Sequence, residues 1–128
     1  MRKLVLSLLI VMPMVLLAQK EISLKKRYLG KYVGTIPAYK LDAGAEVLQV
    51  SSSAIYIMLE KDRIEVTIGN RLITGTYYVM FEAKKYYLLD AKMNGQLANE
   101  RIMVYKRGRK IARDGLFPQP FAGLKKKR

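Results

Sequence analysis

The chain has 128 residues, with 24 Lys and Arg against 10 Asp and Glu, and contains neither histidine nor cysteine. Those absences exclude Ser-His and Cys-His nucleophiles, zinc sites built on those ligands, disulfides and a lipid-modified N-terminal cysteine. Between Tyr32 and Tyr105 eight bases balance eight acids, so the cationic excess belongs to the two ends of the chain.

Residues 1–18 read as an export signal: Arg2 and Lys3, an apolar run from Leu4 to Leu17, then small Ala18 before polar Gln19. As a helix the run reaches about 21 Å at ~1.5 Å per residue, short of the ~30 Å hydrocarbon core, and Pro13 interrupts it. The expectation is a signal peptide followed by a protein exported to a bacterial periplasm or exterior, and not an integral membrane protein. Residues 19–27 form a basic N-terminal extension with Lys20, Lys25, Lys26 and Arg27.

From Tyr28 onward apolar residues alternate in runs of five to ten bounded by turn residues, and no helical spacing persists beyond two turns. This predicts an all-β domain over 28–114, with strands at 29–36, 45–51, 54–60, 63–69, 71–81, 85–93, 96–106 and 109–113. Gly69-Asn70, Asn94-Gly95 and Arg107-Gly108 supply the positive φ that tight hairpins need, so the strands should form an antiparallel up-and-down meander. Runs 71–81 and 85–93 are apolar on both faces, which calls for a curved sheet closed into a small barrel, or alternatively a β-sandwich.

A two-residue Gly69-Asn70 loop pairs Val66 with Ile73 and places Ile64, Val66, Ile73, Tyr77, Val79 and Phe81 on one face, the expected interior. Through Asn94-Gly95, Leu89 would face Glu100 and Tyr87 would face Ile102. A three-residue loop at 82–84 then turns Tyr87, Leu89, Ile102 and Val104 inward, burying fewer charges than the alternative but obliging Glu100 to find a partner. Asp90 and Arg101, near-opposed across the same hairpin, suggest an ion pair. Residues 115–128 read as a Pro-containing strap and basic tail, because Pro118 and Pro120 cannot donate to a ladder, with Leu116, Phe117 and Phe121 as anchors.

The acids are scattered singly through hairpins, as in Glu60-Lys61-Asp62-Arg63, which argues against paired-carboxylate catalysis. Ser51 to Ser53 read as a bend. No enzymatic activity, metal or cofactor is expected. Nucleic-acid binding is disfavoured because the tyrosines lie in the neutral middle and the bases at the ends.

Gly30-Lys31-Tyr32, taken with the meander, resembles the Gly-x-Trp motif of the lipocalin or broader calycin group, with tyrosine for tryptophan. The resemblance implies an eight-stranded barrel closed at the bottom by Tyr32, with Arg113 or Arg109 packing across its ring. Small exported lipocalin-like proteins of unknown function look similar. By that resemblance an apolar small molecule or envelope component would sit in the barrel mouth, lined by some of Tyr77, Val79, Phe81, Tyr87, Leu89 and Ile102. The alternative expectation is docking on an anionic polymer, lipid or partner protein through Lys25, Lys26, Arg27, Lys31, Lys106, Arg107, Arg109, Lys110 and Arg113.

Overall fold

Period-two alternation sends one face of nearly every strand inward, and the strands close on themselves. The computed structural model describes residues 22–42, 44–115 and 119–127. Residues 1–21, and with them the expected signal peptide, lie outside the described residues. Among the described residues ten strands follow a short 3-10 turn at Lys26–Tyr28: β1 Gly30–Ile36, β2 Tyr39–Asp42, β3 Val47–Val50, β4 Ser53–Glu60, β5 Arg63–Ile68, β6 Arg71–Glu82, β7 Tyr86–Met93, β8 Glu100–Tyr105, β9 Lys110–Asp114 and β10 Ala122–Lys126.

Eight of them, in the order β1-β10-β9-β8-β7-β6-β5-β4, form a closed antiparallel barrel, while β2 and β3 pair only with each other as a side hairpin. The barrel, rather than the sandwich, is the architecture. No helix among the described residues is long and apolar enough to cross a membrane.

The Gly69-Asn70 turn sets the expected register, with Ile68 opposite Arg71, Val66 opposite Ile73 and Ile64 opposite Gly75. Gly69 has φ 59°, the left-handed conformation such a loop requires. The next two hairpins differ from expectation by two residues each. A β-bulge between Val79 and Phe81 shifts β6 against β7, so Phe81 pairs with Leu88 on the outer face and is exposed rather than interior. The β7–β8 connection is longer than Asn94-Gly95, pairing Ala91 with Glu100, Leu89 with Ile102 and Asp90 with Arg101. Shifts of two preserve parity, so Tyr87, Leu89, Ile102 and Val104 face inward as expected.

Two other expectations are corrected. The segment expected as strand 45–51 of the barrel lies in the side hairpin. The eighth barrel position is instead taken by β10, inside the segment expected to be a strap and tail. Pro120 precedes β10, so it removes no ladder donor from it, and Ala122 and Leu124 point inward while Gly123 and Lys125 point outward. Pro118, Leu116 and Phe117 lie outside the described residues, and Phe121 is exposed rather than an anchor. β10 fits beside β1 because of Gly34: a Cβ there would sit 2.5 Å from the Gly123 carbonyl oxygen.

The interior is filled by side chains. Ile55, Ile57, Ile64, Val66, Leu89, Ile102 and Val104 each expose 0 % of their surface, so no water-sized void adjoins them. The expected need of Glu100 for a partner is met by Arg113, whose Nε donates to it at 2.5 Å inside the barrel.

Candidate functional site

In an up-and-down barrel every second turn falls at the same end. The start of β1, the β4–β5 turn, the β6–β7 turn, the β8–β9 turn and the end of β10 therefore share one rim. Among the described residues these segments carry more than half of the bases: Lys25, Lys26 and Arg27 before β1, Lys84 and Lys85 after β6, Lys106 to Lys110 between β8 and β9, and Lys126 with Lys127 at the end. Lys25 to Arg27 from the N-terminal extension and Lys106 to Lys110, Lys126 and Lys127 from the C-terminal end of the chain meet at one barrel end.

Hydrogen bonds hold these segments together. The Lys126 ammonium donates to the Arg27 carbonyl at 2.7 Å, tying positions 99 residues apart. Lys106 N–H donates to the Lys85 carbonyl at 2.9 Å, and Lys126 N–H to the Arg109 carbonyl at 2.7 Å. The 3-10 turn folds Tyr28 under the rim, where its ring meets Tyr87 edge-on at 5.3 Å. The Tyr32 hydroxyl donates to the Tyr28 carbonyl at 2.7 Å, and burial pushes that phenol up to about 12. Tyr28 and Tyr32 thus seal this end.

Charges at the rim are unequally neutralised. Lys106 bonds Glu82 at 2.5 Å and lies 5.0 Å above the Tyr87 ring. That hydrogen bond holds the Glu82 carboxyl below its ordinary value and the Lys106 ammonium above its own. Arg27 donates to the Tyr28 hydroxyl at 2.8 Å and stacks over that ring, and Lys110 lies over Tyr105. Neither has a carboxylate partner among the described residues.

The expected residues distribute as follows. Lys25, Lys26, Arg27, Lys106, Arg107, Arg109 and Lys110 come together at the cationic end. Lys31 sits on the outer wall of β1, its ammonium 4.8 Å above the Tyr56 ring. Arg113 is a correction: it is buried against Glu100 and Gln119, and its salt bridge belongs to the interior rather than to an anionic surface. Arg109 lines the same recess as Tyr32, and its charge partly offsets the burial that raises the phenol. Of the expected ligand lining, Tyr87, Leu89 and Ile102 are packed in the filled interior and Phe81 points outward. Tyr77 and Val79 reach an open cleft of about 490 Å³, whose apolar wall includes Ile22, Leu24 and Leu29. Lys126, expected in a basic tail, is part of the β10 end of the rim, and Lys84 and Lys85 join it without being sequence candidates, although turn parity in a meander puts them there.

Among the described residues no cluster of acidic side chains could hold a metal ion. The class that fold and site define is a small closed antiparallel β-barrel, compatible with a lipocalin-like barrel, with a filled interior and a cationic rim. No protein-family model, no curated protein and no solved structure matches the chain.

Proposed function

We propose that this protein is a non-enzymatic, exported binding module that docks on an anionic cell-envelope component, polymer or lipid, through the cationic end of its barrel. The observation that carries the reading is the meeting of the N-terminal bases with Lys106 to Lys110 and Lys126 on one rim, sealed by the Lys126 to Arg27 hydrogen bond. Each base near an anionic membrane surface contributes roughly 1 kcal/mol, so a rim of this kind retains the protein without any deep pocket. The calycin resemblance belongs to the same reading, with Tyr32 closing the barrel bottom and Arg109 as the accompanying arginine.

Co-sedimentation with phosphatidylglycerol-containing vesicles, at low and high salt, tests the docking. Binding should weaken with salt and fall sharply when Arg107 and Lys110 are both changed to Glu. The same reversal at Lys40 and Arg71, away from the rim, should leave it nearly intact. Binding indifferent to salt, or equally sensitive to both reversals, refutes the assignment.

A second reading is favoured by the cleft beside Tyr77 and Val79, which has the volume and apolar lining for a small molecule. Native mass spectrometry of protein purified from its own compartment should then show a retained adduct, lost on changing Val79 to Asp.

A further inference from the structure

One recess in the cationic rim differs from its surroundings. It encloses about 390 Å³ and is walled by Arg27, Lys106, Arg109, Lys126, Tyr28 and Tyr105. Lys106 is already committed to Glu82, but Arg27, Arg109 and Lys126 have no carboxylate partner among the described residues. Three unneutralised cations around a partly enclosed space leave a local excess of positive charge, which a bound anion would offset.

Two backbone features indicate that these cations are deliberately placed. Arg109 has φ 50°, a left-handed conformation at which asparagine or glycine is favoured and arginine costs about 1 kcal/mol. The turn already has a glycine, Gly108 at φ 90°, so an arginine in the strained position next to it calls for a reason in its side chain. Gly30, with φ 136°, clears the path of Lys126: a Cβ there would meet Lys126 Cε at 2.9 Å. The Lys126 stem therefore lies flat against β1 while the Arg27 carbonyl fixes its ammonium, limiting the rotamer entropy lost on binding.

We infer that this recess is a discrete site for a phosphate group, held by the Arg109 guanidinium together with Lys126 and Arg27. A phosphate carries nearly two charges and three strong acceptor oxygens, which suits three cations better than a single carboxylate does. A planar guanidinium forks onto two phosphate oxygens, whereas a lysine ammonium meets them as a point charge. The inference rests on the reading of this rim as the binding face and sharpens it, from diffuse attraction to recognition of one group.

Titration of the full chain with inorganic pyrophosphate, followed by amide NMR and calorimetry, tests it. Saturable one-site binding is expected, with the largest shifts at Gly108, Arg109 and Lys126. Arg109→Lys keeps the charge and should weaken pyrophosphate at least tenfold while leaving salt-dependent binding to phosphatidylglycerol vesicles nearly unchanged. Arg109→Gly relieves the backbone and should melt no lower than the parent, yet lose the site. Competition identifies the source: pyrophosphate that displaces the protein from phosphatidate vesicles marks a lipid headgroup, and saturation without displacement marks a soluble phosphate compound. Shifts spread evenly over all bases, or Arg109→Lys binding pyrophosphate as tightly as the parent, overturns the site but not the docking. Vesicle binding insensitive to charge reversal overturns the docking even where pyrophosphate binds.

Discussion

Glu100 and Arg113 form an ion pair inside the barrel, Nε to Oε1 at 2.5 Å, with neither side chain more than 2 % exposed. Arg113 also donates from Nη1 to Gln119 at 3.0 Å, so the pair links β8 and β9 to the segment leading into β10. Removing one partner strands a buried charge. Glu100→Leu or Arg113→Met alone should cost about 3–5 kcal/mol, whereas the double replacement should recover most of it. Urea denaturation of the three variants measures this, and additive losses would contradict the pairing.

Alkaline stability follows from two phenols. Burial pushes both Tyr32 and Tyr77 up to about 12, from an ordinary value of 10.0. Because the folded values lie above the unfolded one, their contribution is complete below pH 10 and is lost as pH rises from 10 through 12. The loss should reach roughly 2 kcal/mol for each phenol. Unfolding followed across this range should show the decline, and changing both residues to Phe should make it distinctly shallower, the Tyr87 phenol, also raised by burial, keeping a share. An equally steep decline in that double variant would rule the two phenols out.

Ile102 and Phe81 distinguish a filled barrel with a bulged β6 from a hollow regular one. Ile102→Ala should cost about 2–5 kcal/mol by leaving a cavity. Phe81, 42 % exposed on the outer face, meets Tyr86 edge-on at 6.1 Å, and its replacement by Ala should cost about 1 kcal/mol or less. Calorimetric melting of both variants checks the order, which would reverse were Phe81 interior.

Gly34 is where β1 admits β10. An alanine Cβ would collide with the Gly123 carbonyl oxygen and lie 2.9 Å from Leu124 Cγ, so Gly34→Ala should cost about 1–3 kcal/mol. Hydrogen exchange should quicken first at the Lys127 amide, which bonds the Lys31 carbonyl across the seam beside β1, and later at the Lys126 amide, which bonds the Arg109 carbonyl on the β9 side. Protection lost uniformly around the barrel would place the strain elsewhere.

The parts of the fold legible in the sequence were those governed by local chemistry. Gly69-Asn70 sets its hairpin because a two-residue turn with positive φ leaves one register open. Tyr87 and Leu89 face inward as expected because parity survives a shift of two. The bulge at Met80 carries no local signal, so the position of Phe81 was hidden. Pro118 and Pro120 argue against a strand over the segment they occupy, but the argument stops at Phe121, and β10 starts one residue later. The candidate site was half visible: its bases were named, but their meeting depends on barrel closure, and Arg113, unlike the turn residue Arg109, occupies an inward position of β9 where Glu100 meets it.

The side hairpin has a consequence for how the gene product can vary. Ile36, the last residue of β1, pairs directly with Ser53, the first of β4, so the intervening sixteen residues leave the barrel and return at a single rung. Among the described residues β2 and β3 pair with no barrel strand, and their Val47 and Leu48 are turned to solvent. The segment should therefore behave as a cassette in a closed socket, its length and sequence open to change while the rung stays fixed, with half-buried Tyr39, Leu41 and Val50 the side chains a replacement removes. An epitope, a fluorophore-bearing peptide or a plain Asn-Gly turn can take its place, leaving the cationic rim at the far end of the molecule untouched.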